Sequence, residues 1–139
     1  MVNSIKKILV LCTGNSCRSQ IAEGYLRHFS GKNAEIYSAG IEAHGVNNIA
    51  IKVMKEDGID ISKQTSNIID EYKHINFDFV ITVCDNAKEN CPLFITIAKR
   101  FHNNFPDPAN ASGEEMTLAF ITVRDLIKTY CQVIIAEQL

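Results

Sequence analysis

The sequence predicts an α/β fold built on a parallel sheet. Two apolar runs, Ile8-Leu9-Val10-Leu11 and Phe77 to Val83, each end at a cysteine, Cys12 and Cys84. Helical patterns follow the first run and also the strand-like stretch Ala34 to Ser38. In a doubly wound parallel sheet the carboxyl ends of such strands face one crevice, where these folds bind ligands. With 139 residues and 46% hydrophobic content, the chain suits a single domain, 1–139, with a sizeable core.

Taken in order, Lys6 and Lys7 lead into the first strand. The run that follows is about half the length of a signal-peptide core and precedes no small-residue cleavage site, so it is read as a strand and not a leader. Cys12-Thr13-Gly14-Asn15-Ser16-Cys17-Arg18-Ser19 forms a loop, with Gly14 and Asn15 suited to unusual backbone angles. A helix from about Gln20 to Phe29 turns Ile21, Tyr25, Leu26 and Phe29 inward, and Gly31 ends it. Ala34 to Ser38 is a second strand and Ala39 to Gly45 a loop. A helix over Val46 to Asp57 buries Ile49, Ala50, Val53 and Met54 and stops at Gly58. Ile59-Asp60-Ile61-Ser62 is too short to assign, and a short helix is expected from about Ser66 to Tyr72.

Phe77 to Val83 is the clearest buried strand. Cys84 to Cys91 is polar apart from its two cysteines and Ala87, which suits a loop or a loosely held helix. Connecting structure from Ile95 leads to a last strand near Arg100 to Phe105. Asp107 then lies between Pro106 and Pro108, which stiffen the backbone and withhold N–H donors. After a loop at Asn110 to Gly113, a long helix runs from about Glu114 towards Glu137. It carries Ala119, Val123, Leu126, Ile127, Tyr130, Ile134 and Ile135 at helical spacing, with Cys131 packing beside them.

Composition excludes several function classes. The formal net charge is -2 with both signs interspersed, so neither a nucleic-acid face nor a membrane-surface helix is expected. No window approaches the roughly 20 apolar residues of a membrane span, which points to a soluble cytoplasmic protein. Five cysteines cannot all pair, and a domain with its own core needs no disulfide framework. Cys12 and Cys17 are five positions apart and Cys84 and Cys91 seven, wider than usual zinc knuckles. His28, His44, His74 and His102 have no metal spacing, and none is assigned a catalytic role.

The loop after the first strand carries the chemistry. Backbone N–H groups wrapped around a point at a helix N-terminus make a concave anion site, and the helix dipole adds positive potential. Arg18 supplies a planar fork for two oxygens. The same field favours a thiolate, which makes Cys12 the candidate nucleophile. Thr13, Gly14, Asn15, Ser16, Cys17 and Arg18 are thus the candidate oxyanion-binding loop.

At these residues, a cysteine, five residues, an arginine and a serine, the chain resembles the low-molecular-weight tyrosine phosphatase fold. The wider resemblance is to the thioredoxin-coupled arsenate reductases built on that fold. It runs through Cys12 to Gly24, Tyr37 to Val46, Asp60-Ile61-Ser62, the Cys84 and Cys91 pair, Asp107-Pro108-Ala109 and Val123-Arg124-Asp125. The cysteine pair discriminates, since the phosphatases share the anion loop and lack the pair. They also tend to place aromatic residues just after the Asp-Pro, where this chain has Ala109 and Asn110.

The resemblance implies a three-layer α/β sandwich around a four-stranded parallel sheet of order 2-1-3-4. It implies that Cys12 attacks arsenic, that Arg18 and the loop hold the oxyanion, and that Ser19 donates a hydrogen bond to Cys12. Asp107 would act as general acid, with Cys84 and then Cys91 resolving a disulfide that thioredoxin reduces. Phosphate or sulfate would mimic arsenate, a weak phosphatase activity would persist, and the protein would be a monomer with no tightly bound cofactor. Some members bind potassium behind the loop. The matching positions are Asn15, Glu23, Ser38 and Thr65, with Asn67 where an aspartate is expected, and one fewer negative charge weakens such a site. Two other readings stay open: a phosphatase with an idle cysteine pair, and a non-enzymatic thiol or oxyanion sensor.

Overall fold

A computed structural model describes residues 5–91 and 98–139. Four parallel strands form one sheet: β1 (Lys6–Cys12), β2 (Ala34–Gly40), β3 (Phe79–Thr82) and β4 (Lys99–His102), in the order β2-β1-β3-β4. The order places the point where the chain reverses direction across the sheet between β1 and β3. The ends of these two strands therefore open onto the crevice expected of such folds. In register, Leu11 pairs with Thr82 and Cys12 with Gly40. Ile8, Leu9, Val10, Leu11, Val80 and Ile81 are essentially inaccessible, as the continuous apolar runs of a covered parallel sheet require.

The helices are α1 (Arg18–Ser30), α2 (Asn48–Glu56), α3 (Asp85–Glu89) and α4 (Glu115–Gln138). In α1, Ile21, Ala22, Tyr25 and Leu26 are buried, and Phe29 packs against the core from its margin. Helix α2 begins where the Asn47 side-chain oxygen accepts from the N–H groups of Ile49 and Ala50, at 2.8 and 3.1 Å. Past its end, Gly58 adopts φ 83°, a turn open to glycine at no steric cost.

Several boundaries differ from the sequence expectation. β3 and β4 are shorter, because β4 supplies four residues and the chain then leaves the sheet. Beyond them Asn103 and Phe105 still donate backbone bonds to Thr82 and Val83, at 3.1 and 3.0 Å. The helix expected over Ser66 to Tyr72 is a single 3₁₀ turn, Ile69–Tyr72. The connecting structure expected from Ile95 begins outside the described residues. In α4, Leu126 was expected inside but is 49% exposed, while Phe120 is fully buried. The inward stripe is Phe120, Val123, Ile127, Cys131 and Ile134. Burial pushes the Cys131 thiol far up, consistent with packing.

Helices α1, α2 and α4 meet around Asp57. Its Oδ2 accepts from the Tyr25 hydroxyl at 2.7 Å and from Lys128 Nζ at 2.9 Å. Arg124 adds a bond from Nη1 to the Val53 carbonyl at 3.0 Å, which ties the Val123-Arg124-Asp125 stretch to α2. The two donors hold the Asp57 carboxyl below its usual range. A depressed folded value gives stability that is present above the unfolded value of about 3.9 and lost as pH falls through the folded value. Accordingly, Asp57→Asn should cost about 1–2 kcal/mol near neutral pH. The gap from wild type should narrow below about pH 4, read by urea denaturation at several pH values.

Candidate active site

The anion loop is built by turning its carbonyls outward. The backbone oxygens of Cys12, Thr13, Gly14 and Ser16 accept from the N–H groups of Ile41, Glu42, His44 and Asn47, at 3.3, 2.9, 2.8 and 3.0 Å. The Asn15 oxygen accepts from Gln20 Nε2 at 3.0 Å and from the Ser66 hydroxyl at 2.9 Å, and the Cys17 oxygen from Ile21 N–H at 2.9 Å. With the carbonyls engaged outside, the N–H edge of the loop faces the cavity. Among the described residues, none of the N–H groups of Thr13 to Cys17 has a protein acceptor. This is the concave donor array that an oxyanion needs.

Asn15 sits at φ 48°, left-handed and fully buried, and its side chain orders the nucleophile. Its Oδ1 accepts from the Asn67 backbone N–H at 2.7 Å, which fixes Nδ2 as the group that donates to Ser19 Oγ at 2.8 Å. Ser19 therefore has its own hydrogen to give to Cys12 Sγ, 2.9 Å away. The chain from Asn67 through Asn15 and Ser19 thus aims a hydrogen-bond donor at the Cys12 sulfur.

Gly40, beside Cys12 in the sheet, makes this geometry fit. A Cβ there would meet the Glu42 oxygen at 2.3 Å, and Asn15 N and Thr13 O at 2.7 Å, all backbone atoms. Gly40→Ala must push the loop away, so a loss of about 100-fold in turnover is expected from a shift near 1 Å. Kinetics beside thermal unfolding separate this displacement from global destabilisation.

A cavity of about 210 Å³ lies over the loop, lined by Cys12, Gly14, Cys17, Arg18, His44 and Asp107 among others. Arg18 Nη1 donates to the Phe105 carbonyl at 2.9 Å, and Nη2 lies 3.8 Å from Asp107 Oδ2. Arg18 Nε is buried with no partner among the described residues. A buried N–H of that kind costs about 1–3 kcal/mol until an acceptor arrives. Asp107 stands at the rim, where its Oδ1 accepts from Ala109 N–H at 3.0 Å. Burial pushes the Cys17 thiol up to about 11, which leaves it a neutral member of the loop.

Cys84 lies two residues past Thr82, the β3 partner of Leu11, and is 3% exposed, as is Cys12. Its Sγ is 3.4 Å from Thr13 Oγ1, which also accepts from Asn86 Nδ2 at 3.0 Å. The structure thus gathers Cys12, Arg18, Ser19, Asp107 and Cys84 at one end of the sheet. Cys91 is apart, half-buried in a cavity of about 120 Å³ against β4. There burial raises its thiol and the nearby Arg100 partly opposes the shift. All five cysteines are free thiols.

The low molecular weight phosphotyrosine protein phosphatase family matches residues 7–139. The chain belongs to that family. It is 53% identical over 124 residues to the arsenate reductase of Bacillus subtilis (strain 168), covering 88% of this chain and 89% of the relative. It is also similar to a solved arsenate reductase in the phosphate binding state, with TM-score 0.84 and 34% identity over 96% of this chain and 98% of the other. Another, an arsenate reductase in oxidized state, gives TM-score 0.85 and 33% identity over the same shares. Solved arsenate reductases thus share this fold over nearly the whole chain.

The residues matching the family's potassium positions do not fit the ion. Asn15 turns its nitrogen, not its oxygen, to Ser38 Oγ at 3.0 Å, and Ser38 donates to Glu23 Oε1 at 2.6 Å. Glu23 Oε2 is held by Arg27 through Nε at 2.9 Å and Nη2 at 2.8 Å. Thr65 donates its hydroxyl to Asn67 Oδ1 at 2.7 Å. A guanidinium thus supplies the positive charge beside Glu23. Among the described residues no group of three or more His, Cys, Asp or Glu is disposed to hold a metal. Sequence reasoning missed Gln20, Ser66 and the Phe105 carbonyl, whose polar contacts are long-range and leave no local pattern.

Proposed function

We propose that this protein reduces arsenate to arsenite by a three-thiol relay and that thioredoxin recycles it. The observation that carries the reading is Cys84, buried at the end of β3 and joined through Thr13 to the loop of Cys12. A phosphatase has no use for a second thiol there. The arsenate reductase of Bacillus subtilis named above, 53% identical, supports the same substrate.

Cys12 Sγ attacks arsenic while Arg18 and the loop N–H groups hold the remaining oxygens and stabilise the charge that builds. One arsenic–oxygen bond breaks, and Asp107, protonated, gives its proton to the departing oxygen, which leaves as water. Cys84 then attacks Cys12 Sγ. The sulfur–arsenic electron pair stays with arsenic, which leaves as arsenite, two electrons richer, and a Cys12–Cys84 disulfide remains. Cys91 attacks Cys84 Sγ, freeing Cys12 and moving the disulfide to Cys84 and Cys91. The dithiol of thioredoxin takes over that disulfide, closing the electron balance.

We further place the protein in the reducing cytoplasm as a monomer, with phosphate and sulfate as competing anions and slow aryl phosphate hydrolysis as a side activity. No helix among the described residues is long and apolar enough to cross a membrane. The test is arsenate-dependent NADPH oxidation with thioredoxin and thioredoxin reductase. Sustained turnover is expected. A silent protein that hydrolyses an aryl phosphate quickly is instead a phosphatase, and one inert in both assays is a sensor.

A further inference from the structure

His102, at the end of β4, is absorbed by none of the chemistry above, yet it grips the segment that carries both resolving cysteines. Its Nδ1 lies 2.7 Å from the hydroxyl of Thr82, a buried residue of β3, and its Nε2 lies 2.8 Å from Asp85 Oδ1. A carboxylate only accepts, so Nε2 carries the hydrogen given to Asp85, and in the neutral ring Nδ1 accepts from Thr82. Asp85 is the first residue of α3, next to Cys84, and its N–H donates to Asn104 Oδ1 at 3.0 Å. The same imidazole lines the small cavity that holds Cys91, together with Lys88, Arg100 and Phe101.

The helical form of this segment and its disulfide form exclude each other. From its N-cap Cys84 to its C-cap Asn90, just before Cys91, the five-residue helix Asp85–Glu89 carries the chain about 9 Å along its axis, whereas disulfide-bonded Cα atoms stand roughly 5–6 Å apart. Forming Cys84–Cys91 must therefore unwind α3 and release Asp85 from the sheet. We propose that His102 is a positioning residue, a latch that stabilises the reduced, helical Cys84–Cys91 segment and so sets the reduction potential of that pair. The proposal rests on the relay reading. In chemical terms the two thiols lose two electrons and two protons as the sulfur–sulfur bond forms, and oxidised glutathione accepts them to become two glutathione thiols.

The latch is tested by equilibrating full-length Cys12→Ser protein in glutathione buffers, with the Cys84–Cys91 disulfide quantified by mass spectrometry. Adding His102→Ala should favour the disulfide about fivefold, the effect of one net hydrogen bond, which is a potential about 20 mV more negative. Asp85→Ala should give the same shift, and the double variant no more. His102→Gln, which keeps an N–H towards Asp85, should restore much of the wild-type value. With Cys12 intact, His102→Ala should hydrolyse an aryl phosphate at the wild-type rate, which shows that the fold stands. Equal potentials in all variants, or additive shifts in the double variant, would overturn the latch alone. If no Cys84–Cys91 disulfide forms even without these changes, both the latch and the relay are overturned.

Discussion

Cys84→Ser should remove arsenate turnover, by about a thousandfold or more, while aryl phosphate hydrolysis stays within about twofold of wild type. Serine keeps the size and the polar neighbour at Thr13 Oγ1, so the loop around Cys12 has no reason to move. On the proposed relay, what disappears is the sulfur that takes Cys12 off arsenic. Phosphoryl transfer needs no such step, because its cysteine intermediate is released by water. Parallel rates with arsenate under the thioredoxin couple and with an aryl phosphate provide the comparison. A variant that loses both activities equally would mean that Cys84 is a packing residue.

Arg18→Ala should lower both activities together, by about 100- to 1,000-fold. The guanidinium is nearly enclosed, with a side chain 12% exposed, and it is oriented by the Phe105 carbonyl and Asp107. Its Nε is a buried donor of the site with no partner among the described residues, so an oxyanion gains a bond there. Arg18→Lys should recover little, because an ammonium offers no planar fork and cannot keep Phe105 O and two oxyanion oxygens at once. The readout is KM and kcat for both substrates, with phosphate inhibition constants as a measure of ground-state binding.

The parts of the fold that were legible in the sequence are those written in local pattern. The apolar runs ending at Cys12 and Cys84 marked neighbouring parallel strands, and their shared end marked the crevice. The cysteine, arginine and serine spacing marked the loop, since its chemistry lies in consecutive residues. The contacts that tune the site were not legible, because they join distant residues through ordinary polar side chains. Asn67 N–H fixing the Asn15 amide spans 52 positions, and Thr13 meeting Cys84 spans 71. His102 showed no metal spacing and so looked inert, yet its partners are 20 and 17 positions away in β3 and α3. Leu126 was misplaced for a similar reason. Helical spacing gives a stripe's period, while tertiary packing decides which of two adjoining stripes faces inward.

Peptide mapping of Cys91→Ser after one equivalent of arsenate probes the relay most directly. Without the last thiol the sequence must stop after arsenite leaves, so a Cys12–Cys84 disulfide should accumulate in step with arsenite, one for one. The same treatment of the wild-type protein should give Cys84–Cys91 instead. Arsenite release with Cys84 still a free thiol, or a disulfide joining Cys12 to Cys17, would contradict the relay.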